Sequence, residues 1–470
     1  MTDALLSRLS AVIGSGNVLT GADAAPYGRE WTGTYRWRPL AVLRPASAAE
    51  VSAVLAIASD TRTPVVPVAG RTGITGATEA EGRLMLSLER MNRIREVRPE
   101  ARIAVVEAGC VLSSIHEAAE ALGLVFPLTF GARGSAMIGG ALSTNAGGSN
   151  VLRYGSTRGL CLGIEVVLAD GRVMNLMSEL HKDNSGYDLK DIFIGAEGTL
   201  GIITAAVLRL APKPRAYATA MIAMPALGPA LAFLNRLQET TGGAVEAFEY
   251  MPASYIARLR RYRPDLTVPL EGNPPVSILV EVGATAPRDA DPLPDGTIPI
   301  VAFLEDTLGQ MLEAGEITDA VVARSHEQRR AMWAIREAAG EVTLNQHPMV
   351  DTDIAVPLDK VEAFLTAMSA RLATIDPAAT DVVVAHLGDG NIHYTAFPAA
   401  NDPDRLVAIR EAVDDIVADL HGSFSAEHGI GLAKLPSMAR LKDPVALDMM
   451  RAVKQAFDPA RILNPGKLLP

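Results

Sequence analysis

The sequence predicts an α+β protein of two unlike parts, on three observations. Strand-like and helix-like runs alternate through residues 39–210. Three glycine-rich stretches interrupt those runs. Past Pro212-Lys213-Pro214 the texture changes to helix-length segments around apolar strands, the pattern of helices packed on an antiparallel sheet.

A chain of 470 residues can bury a large core in two to three domains. Hydrophobic residues make up 49% and charged residues 21%, as in ordinary globular proteins. The formal charge of −11 argues against a nucleic-acid binder or a polybasic membrane-surface protein. Two cysteines, Cys110 and Cys161, exclude a disulfide scaffold and a four-cysteine metal site, and fit a reducing compartment. The N-terminus has no basic stretch leading into a long apolar run, and no apolar run reaches the roughly 18 residues of a membrane span. A cytoplasmic location is therefore expected, with no signal peptide and no transmembrane helix.

In order, residues 1–38 should open with a short amphipathic helix carrying Leu5, Leu6, Leu9, Val12 and Ile13. A first domain over 39–214 starts with a strand, then Ser47 as N-cap of a helix burying Val51, Val54, Leu55 and Ala58. Strands follow at 63–68, 83–88 and 103–108, and a helix at about 111–122 closed by Gly123. Strands at 162–168 and 202–210 follow, the first ending in an Ala169-Asp170-Gly171 hairpin turn. A second domain over 215–424 has helices near 226–240, 301–314 and 326–344, strands at 277–282 and 381–386, and a polar loop at 285–298. Residues 425–470 read as helical up to Asn464-Pro465-Gly466.

The first glycine-rich loop carries Gly70, Gly73 and Gly76, which allow positive φ and close approach of the backbone to a ligand. Its successive N–H groups suit an anion such as a pyrophosphate. It is neither a Walker loop nor the dinucleotide-binding fingerprint, since its spacing is G-x-x-G-x-x-G and no Gly-Lys-Ser/Thr ends it. Similar stretches at 131–148 and 195–203 suggest a backbone wrapped around a long, flat, phosphorylated ligand.

Residues 382–396 carry Asp389-Gly390 between apolar runs, a hairpin signal. With a two-residue loop, His386 pairs with His393 on one face, and Leu387 with Ile392 on the other. Two imidazoles so placed can share a metal ion or hydrogen-bond each other. Glu427-His428, between small residues, is a turn or the source of a third ligand; His₂Glu with an open position is a catalytic metal pattern, with zinc the usual occupant and manganese or iron as alternatives. Arg336, on a helical stretch, reads by itself as a surface arginine.

Several motifs, among them VEAGCVL, IGGALSTNAGG, EVVLADGRV, GAEGTLGIIT, HLGDGNIH, SAEHGIG and NPGKLLP, resemble the FAD-linked oxidoreductases of the vanillyl-alcohol oxidase and p-cresol methylhydroxylase type. Within them the chain is similar to the D-2-hydroxyglutarate and D-lactate dehydrogenase group, from about residue 39 onward. The resemblance implies a two-subdomain FAD-binding domain plus an α+β substrate (cap) domain on an antiparallel sheet, with the C-terminal segment returning to the FAD domain. It implies that Ala69, Gly70, Arg71, Thr72, Gly73, Pro127, Gly134, Ser135, Ile138, Gly139, Asn145, Gly147, Ile203 and Asn464 hold FAD. That FAD should be noncovalent, since the first loop has no His or Cys. It further implies that His386, His393 and Glu427 are metal ligands, His428 the catalytic base, and Arg336 the substrate-carboxylate clamp.

The expected reaction is oxidation of a D-2-hydroxy acid to the 2-oxo acid by hydride transfer to flavin N5, passing electrons to an electron-transfer flavoprotein, cytochrome or quinone. A homodimer is the expected assembly. Three positions depart from the 2-hydroxyglutarate pattern: Gly340 replaces a Thr, Asp351 a Lys and Thr395 an Asn. The Asp would repel a second carboxylate, so a monocarboxylic substrate such as D-lactate is expected. The alternatives are D-2-hydroxyglutarate or D-malate, a flavin subunit of a glycolate-oxidase-like complex, or a non-redox flavoenzyme like the alkyl-dihydroxyacetone-phosphate synthases.

Overall fold

The computed structural model describes residues 2–470. It divides into two compact units, one formed by residues 2–147, 155–212 and 427–470, the other by 148–154 and 213–426.

The first unit holds two sheets. In the four-stranded one, Ala41–Leu43, Leu84–Ser87 and Val65–Val68 run parallel, with Val18–Leu19 antiparallel at the edge. The helix Ala48–Asp60 links the first two parallel strands in sequence; Ser47 caps it by accepting from the Glu50 amide at 3.2 Å. The second sheet is five-stranded and antiparallel: Ile94–Arg98, Ile103–Glu107, Gly201–Arg209, Cys161–Leu168 and Val173–Leu176. The Asp170-Gly171 turn joins its last two strands, with the Gly171 amide bonded to the Leu168 carbonyl at 2.9 Å. Asn464 returns to the first sheet, where its amide donates to Val65 at 2.8 Å.

The second unit is built on one seven-stranded antiparallel sheet. Its order is Asp319–Val322, Ala216–Met224, Val276–Ala284, Val245–Pro252, Thr380–His386, Asn391–Phe397 and Val350–Ala355. Alternation sorts the side chains onto two faces. One face buries Ile222, Ile278, Phe248, Ala385, Ile392 and Ile354 against Ala230–Thr241, Pro299–Glu313, Val361–Ile375 and Pro403–Asp419. The other buries Met221, Leu279, Met251 and Val384 under Ala253–Tyr262 and His326–Glu337.

The helix expected over 326–344 is two helices, His326–Glu337 and Ala339–Thr343, divided at Ala338. The terminal segment is less helical than expected, since residues 425–434 are irregular, ending in a turn at 431–434, before Leu435–Leu441 and Pro444–Phe457. Among the described residues no helix is long and apolar enough to cross a membrane.

Phe364 is fully buried edge-to-face on Tyr394, with ring centroids 5.9 Å apart. Phe364→Ala should lower the stability of the second unit by about 3–5 kcal/mol, read as a shifted urea midpoint.

Candidate active site

In the first unit, residues of all three glycine-rich stretches line one cleft of about 540 Å³, mouth included. Ala69, Gly139, Ile203 and Asn464 line it, with Val68, Ala77, Gly140, Ser143, Thr144, Glu197 and Gly198. The other residues expected to hold FAD are placed around rather than in that lining. Ile138 is buried beside Gly139 at the start of the helix Ile138–Thr144. Asn145 closes that helix in the left-handed region (φ 50°), and its Oδ1 accepts from the Arg158 amide at 2.9 Å. Pro127 and Gly147 are buried, whereas Gly73, Gly134 and Ser135 are exposed and Thr72 is half-buried. Arg71 reaches away to donate to the Pro26 carbonyl at 2.7 Å, with its guanidinium 4.6 Å over the Tyr27 ring.

The reason for glycine in the first loop differs from the expectation. Positive φ falls on Arg71 (57°) and Gly76 (71°), not on Gly70 or Gly73. Gly70 is required for space: a Cβ there would overlap the Ser135 carbonyl oxygen, so the first two loops meet backbone to backbone. Asn464 bridges the other side. Its Nδ2 donates to the carbonyls of Ala77 (3.1 Å) and Glu197 (2.8 Å), while its Oδ1 is buried with no partner among the described residues. A buried amide oxygen on a cleft-lining residue, left without a partner, calls for a donor. A flat ring system with edge N–H groups fits this narrow, glycine-floored space.

In the second unit, the face opposite the large apolar layer carries charge at its other end. The hairpin around Asp389-Gly390 forms, but with a four-residue loop. His386 pairs with Asn391 and Val384 with His393. His386 and His393 are therefore diagonal rather than directly opposed. The wider loop arises because the Leu387 amide donates to Phe248 on the neighbouring strand at 2.9 Å, while the His386 carbonyl accepts from Asp389 (3.2 Å) and Gly390 (3.1 Å). The two rings still share a face, edge-to-face with centroids 5.3 Å apart.

Their neighbours come from three strands and a helix. Asp353 lies directly opposite His393, with its Oδ1 3.7 Å from the ring Nδ1, and accepts from Asn391 Nδ2 at 2.9 Å. Glu249, opposite His386, accepts from His386 Nδ1 at 2.8 Å and from Arg336 Nε at 2.7 Å. Burial raises the Glu249 pKa, but His386 and Arg336 outweigh it and hold the carboxyl below its usual range. Arg329, Trp333 and Arg336 occupy one side of the helix His326–Glu337, and the first two bind Glu281. Arg336 is not the surface residue that its sequence suggests. It is 8% exposed, and its Nη2 is buried with no partner among the described residues. Ala426, the last residue of this unit, donates its amide to the Asp353 carbonyl at 3.3 Å.

His428 stands in the first unit, on a loop tied down from both sides. The amides of Leu432 and Ala433 donate to Thr75 at 2.8 and 3.0 Å. Those of Ile430 and Gly431 donate to the Glu197 carboxylate at 2.6 and 2.8 Å. Gly429 (φ 79°) passes so close that an added Cβ would stand 2.8 Å from Glu197 Oε1. His428 Nε2 lies 3.6 Å from Glu427 Oε1.

Glu249, Asp353, Asn391 and Glu197 were not anticipated. The D-T-D alternation at 351–353 signals two acids on one strand face, but nothing local marks Glu249. Gly70→Ala should force the first two loops apart; the purified variant is expected to retain less flavin than wild type, by its absorbance ratio at 450 and 280 nm.

Residues 39–177 match the FAD binding domain family, and residues 213–468 match the FAD linked oxidases, C-terminal domain. The mitochondrial D-2-hydroxyglutarate dehydrogenase of Bos taurus is 37% identical, over 99% of this chain and 83% of that protein. The D-2-hydroxyglutarate dehydrogenase of Stutzerimonas stutzeri is 34% identical, over 100% and 99%. Among solved structures, p-cresol methylhydroxylase with substrate bound superposes with a TM-score of 0.74 at 16% identity, over 99% of this chain and 96% of that one. An alkyldihydroxyacetonephosphate synthase gives 0.72 at 15%, over 99% and 85%. These two likenesses establish a p-cresol-methylhydroxylase-type fold. An FAD binding domain followed by this C-terminal domain, with relatives matched along almost its whole length, makes the chain a member of the FAD-linked oxidase family.

Proposed function

We propose that the chain is an FAD- and divalent-metal-dependent dehydrogenase that oxidises a D-2-hydroxy acid, with D-2-hydroxyglutarate the leading substrate. The observation that carries this is the buried, unpartnered Arg336 Nη2 on the face that holds His386 and His393. It offers a planar donor for a carboxylate beside two imidazoles. The relatives, named for D-2-hydroxyglutarate, move the reading from D-lactate to that diacid.

FAD would be held noncovalently by Ala69, Gly139, Ile203, Asn464 and the rest of their cleft. His386, His393 and Glu427 would hold the metal, with zinc preferred and manganese or iron as alternatives; a nitrogen and oxygen donor set suits all three. When bound, FAD supplies an acceptor for the C2 hydride at N5, and the metal supplies a Lewis acid that acidifies the C2 hydroxyl. Arg336 binds the C1 carboxylate and fixes which face of C2 is presented. His428 takes the hydroxyl proton at a ring nitrogen. The alcohol thus loses a proton and a hydride and leaves as the 2-oxo acid. A separate flavoprotein, cytochrome or quinone would collect the electrons.

A second reading of the substrate rests on Asp351. It pairs across the strands with Thr395, whose Oγ1 donates to Asp351 Oδ1 at 2.6 Å. A carboxylate two residues from Asp353 on the same face disfavours a second substrate carboxylate. It favours a D-2-hydroxy acid with a neutral or cationic tail.

Anaerobic titration of the yellow, metal-loaded protein separates the two readings. D-2-hydroxyglutarate should bleach the flavin, the L-isomer should not, and a chelator should block the reaction. Preferential bleaching by D-lactate or a cationic D-2-hydroxy acid would favour the second reading, and no bleaching by any D-2-hydroxy acid would sink both. His428→Asn should keep its flavin and lose at least about 100-fold in kcat. Asp351→Lys should raise kcat/KM for D-2-hydroxyglutarate relative to D-lactate by about tenfold.

A further inference from the structure

We infer that Glu249 is the positioning residue of this site: one buried carboxylate sets both the ligating nitrogen of His386 and the orientation of the Arg336 fork. The inference rests on the metal-dependent reading above and goes beyond its residue roles.

Glu249 is 0% exposed. Its two oxygens are divided between two partners of different purpose. Oε1 accepts from His386 Nδ1 at 2.8 Å, and Oε2 accepts from Arg336 Nε at 2.7 Å. An ionised carboxylate only accepts hydrogen bonds. It therefore assigns the neutral imidazole proton to Nδ1 and makes Nε2 the lone pair that can meet a metal. Holding Arg336 by Nε leaves the guanidinium edge to its terminal nitrogens, and Nη2 is the one without a partner among the described residues. One group thereby sets a metal-facing nitrogen and an anion-facing nitrogen at a fixed spacing, as a 2-hydroxy acid bound through both ends of its C1–C2 unit requires.

Glu281, on the same sheet face, shows what a buried carboxylate with another set of partners looks like. It takes two bonds from Arg329 at 2.6 Å each, one from Trp333 Nε1 at 2.9 Å and one from Thr219 at 2.5 Å. Neither His386 nor Arg336 bonds to it in these contacts. Strand pairing places Glu249, rather than Glu281, directly opposite His386.

Glutamine at 249 keeps the shape but has one accepting oxygen and one donating NH₂ group. Its amide cannot serve both partners. If its oxygen holds Arg336, its NH₂ faces His386 Nδ1 and drives the proton to Nε2, which then cannot ligate. If its oxygen holds His386, Arg336 loses its anchor.

The test uses the full-length, FAD-loaded, zinc-reconstituted protein. Wild type, Glu249→Gln, Glu249→Asp and Glu281→Gln are dialysed against graded dipicolinate, bound zinc is measured by mass spectrometry, and kcat and KM are measured separately. Glu249→Gln should release zinc at about 10–100-fold lower chelator or raise KM by about tenfold with zinc retained, at unchanged flavin content. Glu249→Asp, which keeps the charge, should fall between it and wild type, and Glu281→Gln should hold zinc as wild type does. Wild-type zinc retention and KM in Glu249→Gln would overturn the inference while leaving the metal centre standing. A wild type that binds no divalent metal would overturn the metal-dependent reading itself, and the His386 arm with it. If Glu249→Gln is not recovered folded, Glu249→Asp decides: unchanged zinc retention and KM there overturn the inference.

Discussion

Successive side chains of a β-strand leave on opposite faces, and the polar array of the second unit hangs on that geometry. Val280, Phe248, Ala385, Ile392 and Ile354 fill one face of its sheet. Their sequence neighbours Glu281, Glu249, His386, His393 and Asp353 are thereby committed to the other. A one-residue slip in any pair would drive a carboxylate or imidazole into the apolar layer. Register and chemistry are thus one constraint, and the large dry face holds the wet one in line.

Buried carboxylates in the two units show how neighbours decide a charge that burial opposes. Glu249 is held below its ordinary range, because His386 and Arg336 outweigh its desolvation. Glu197 goes the other way: burial pushes it up, and the backbone amides of Ile430 and Gly431, with Lys434, do not bring it back. The first sits between two basic side chains; the second clasps mainly backbone. The difference matches their surroundings, a charged sheet face in one case and a glycine-lined cleft with a tethered loop in the other.

The alternation of strands and helices, the caps and the glycine-rich loops were readable along the chain, because each depends on residues close in sequence. The helix after Ser47 and the Asp170-Gly171 turn are of this kind. The histidine hairpin shows the limit. Its turn was placed correctly, but its loop length was set by a bond from Leu387 to Phe248, which no local pattern reveals. The shared face of His386 and His393 survived the error because the partner of His386 moved by two residues, and a shift of two preserves the face. Glu249 stands 137 positions from His386. Only the strand order joins them, so nothing in the residues around Glu249 distinguishes it from any other glutamate. Arg336 was misjudged by itself for the same reason: its burial is created by the sheet beneath its helix.

The route of the chain through the first unit bears on how the protein is made. Asn464 closes the glycine-lined cleft by bonding to Ala77, 387 positions earlier, and the whole second unit is translated in between. A growing chain exposes the open half of that cleft while the other unit folds, and the strand-edge contact of Asn464 with Val65 forms only after the second unit has been made. Closure of the cleft is thereby delayed until residue 464 has been made. A ribosome that stalls inside the second unit releases a product lacking Asn464, so its glycine loops have no clasp.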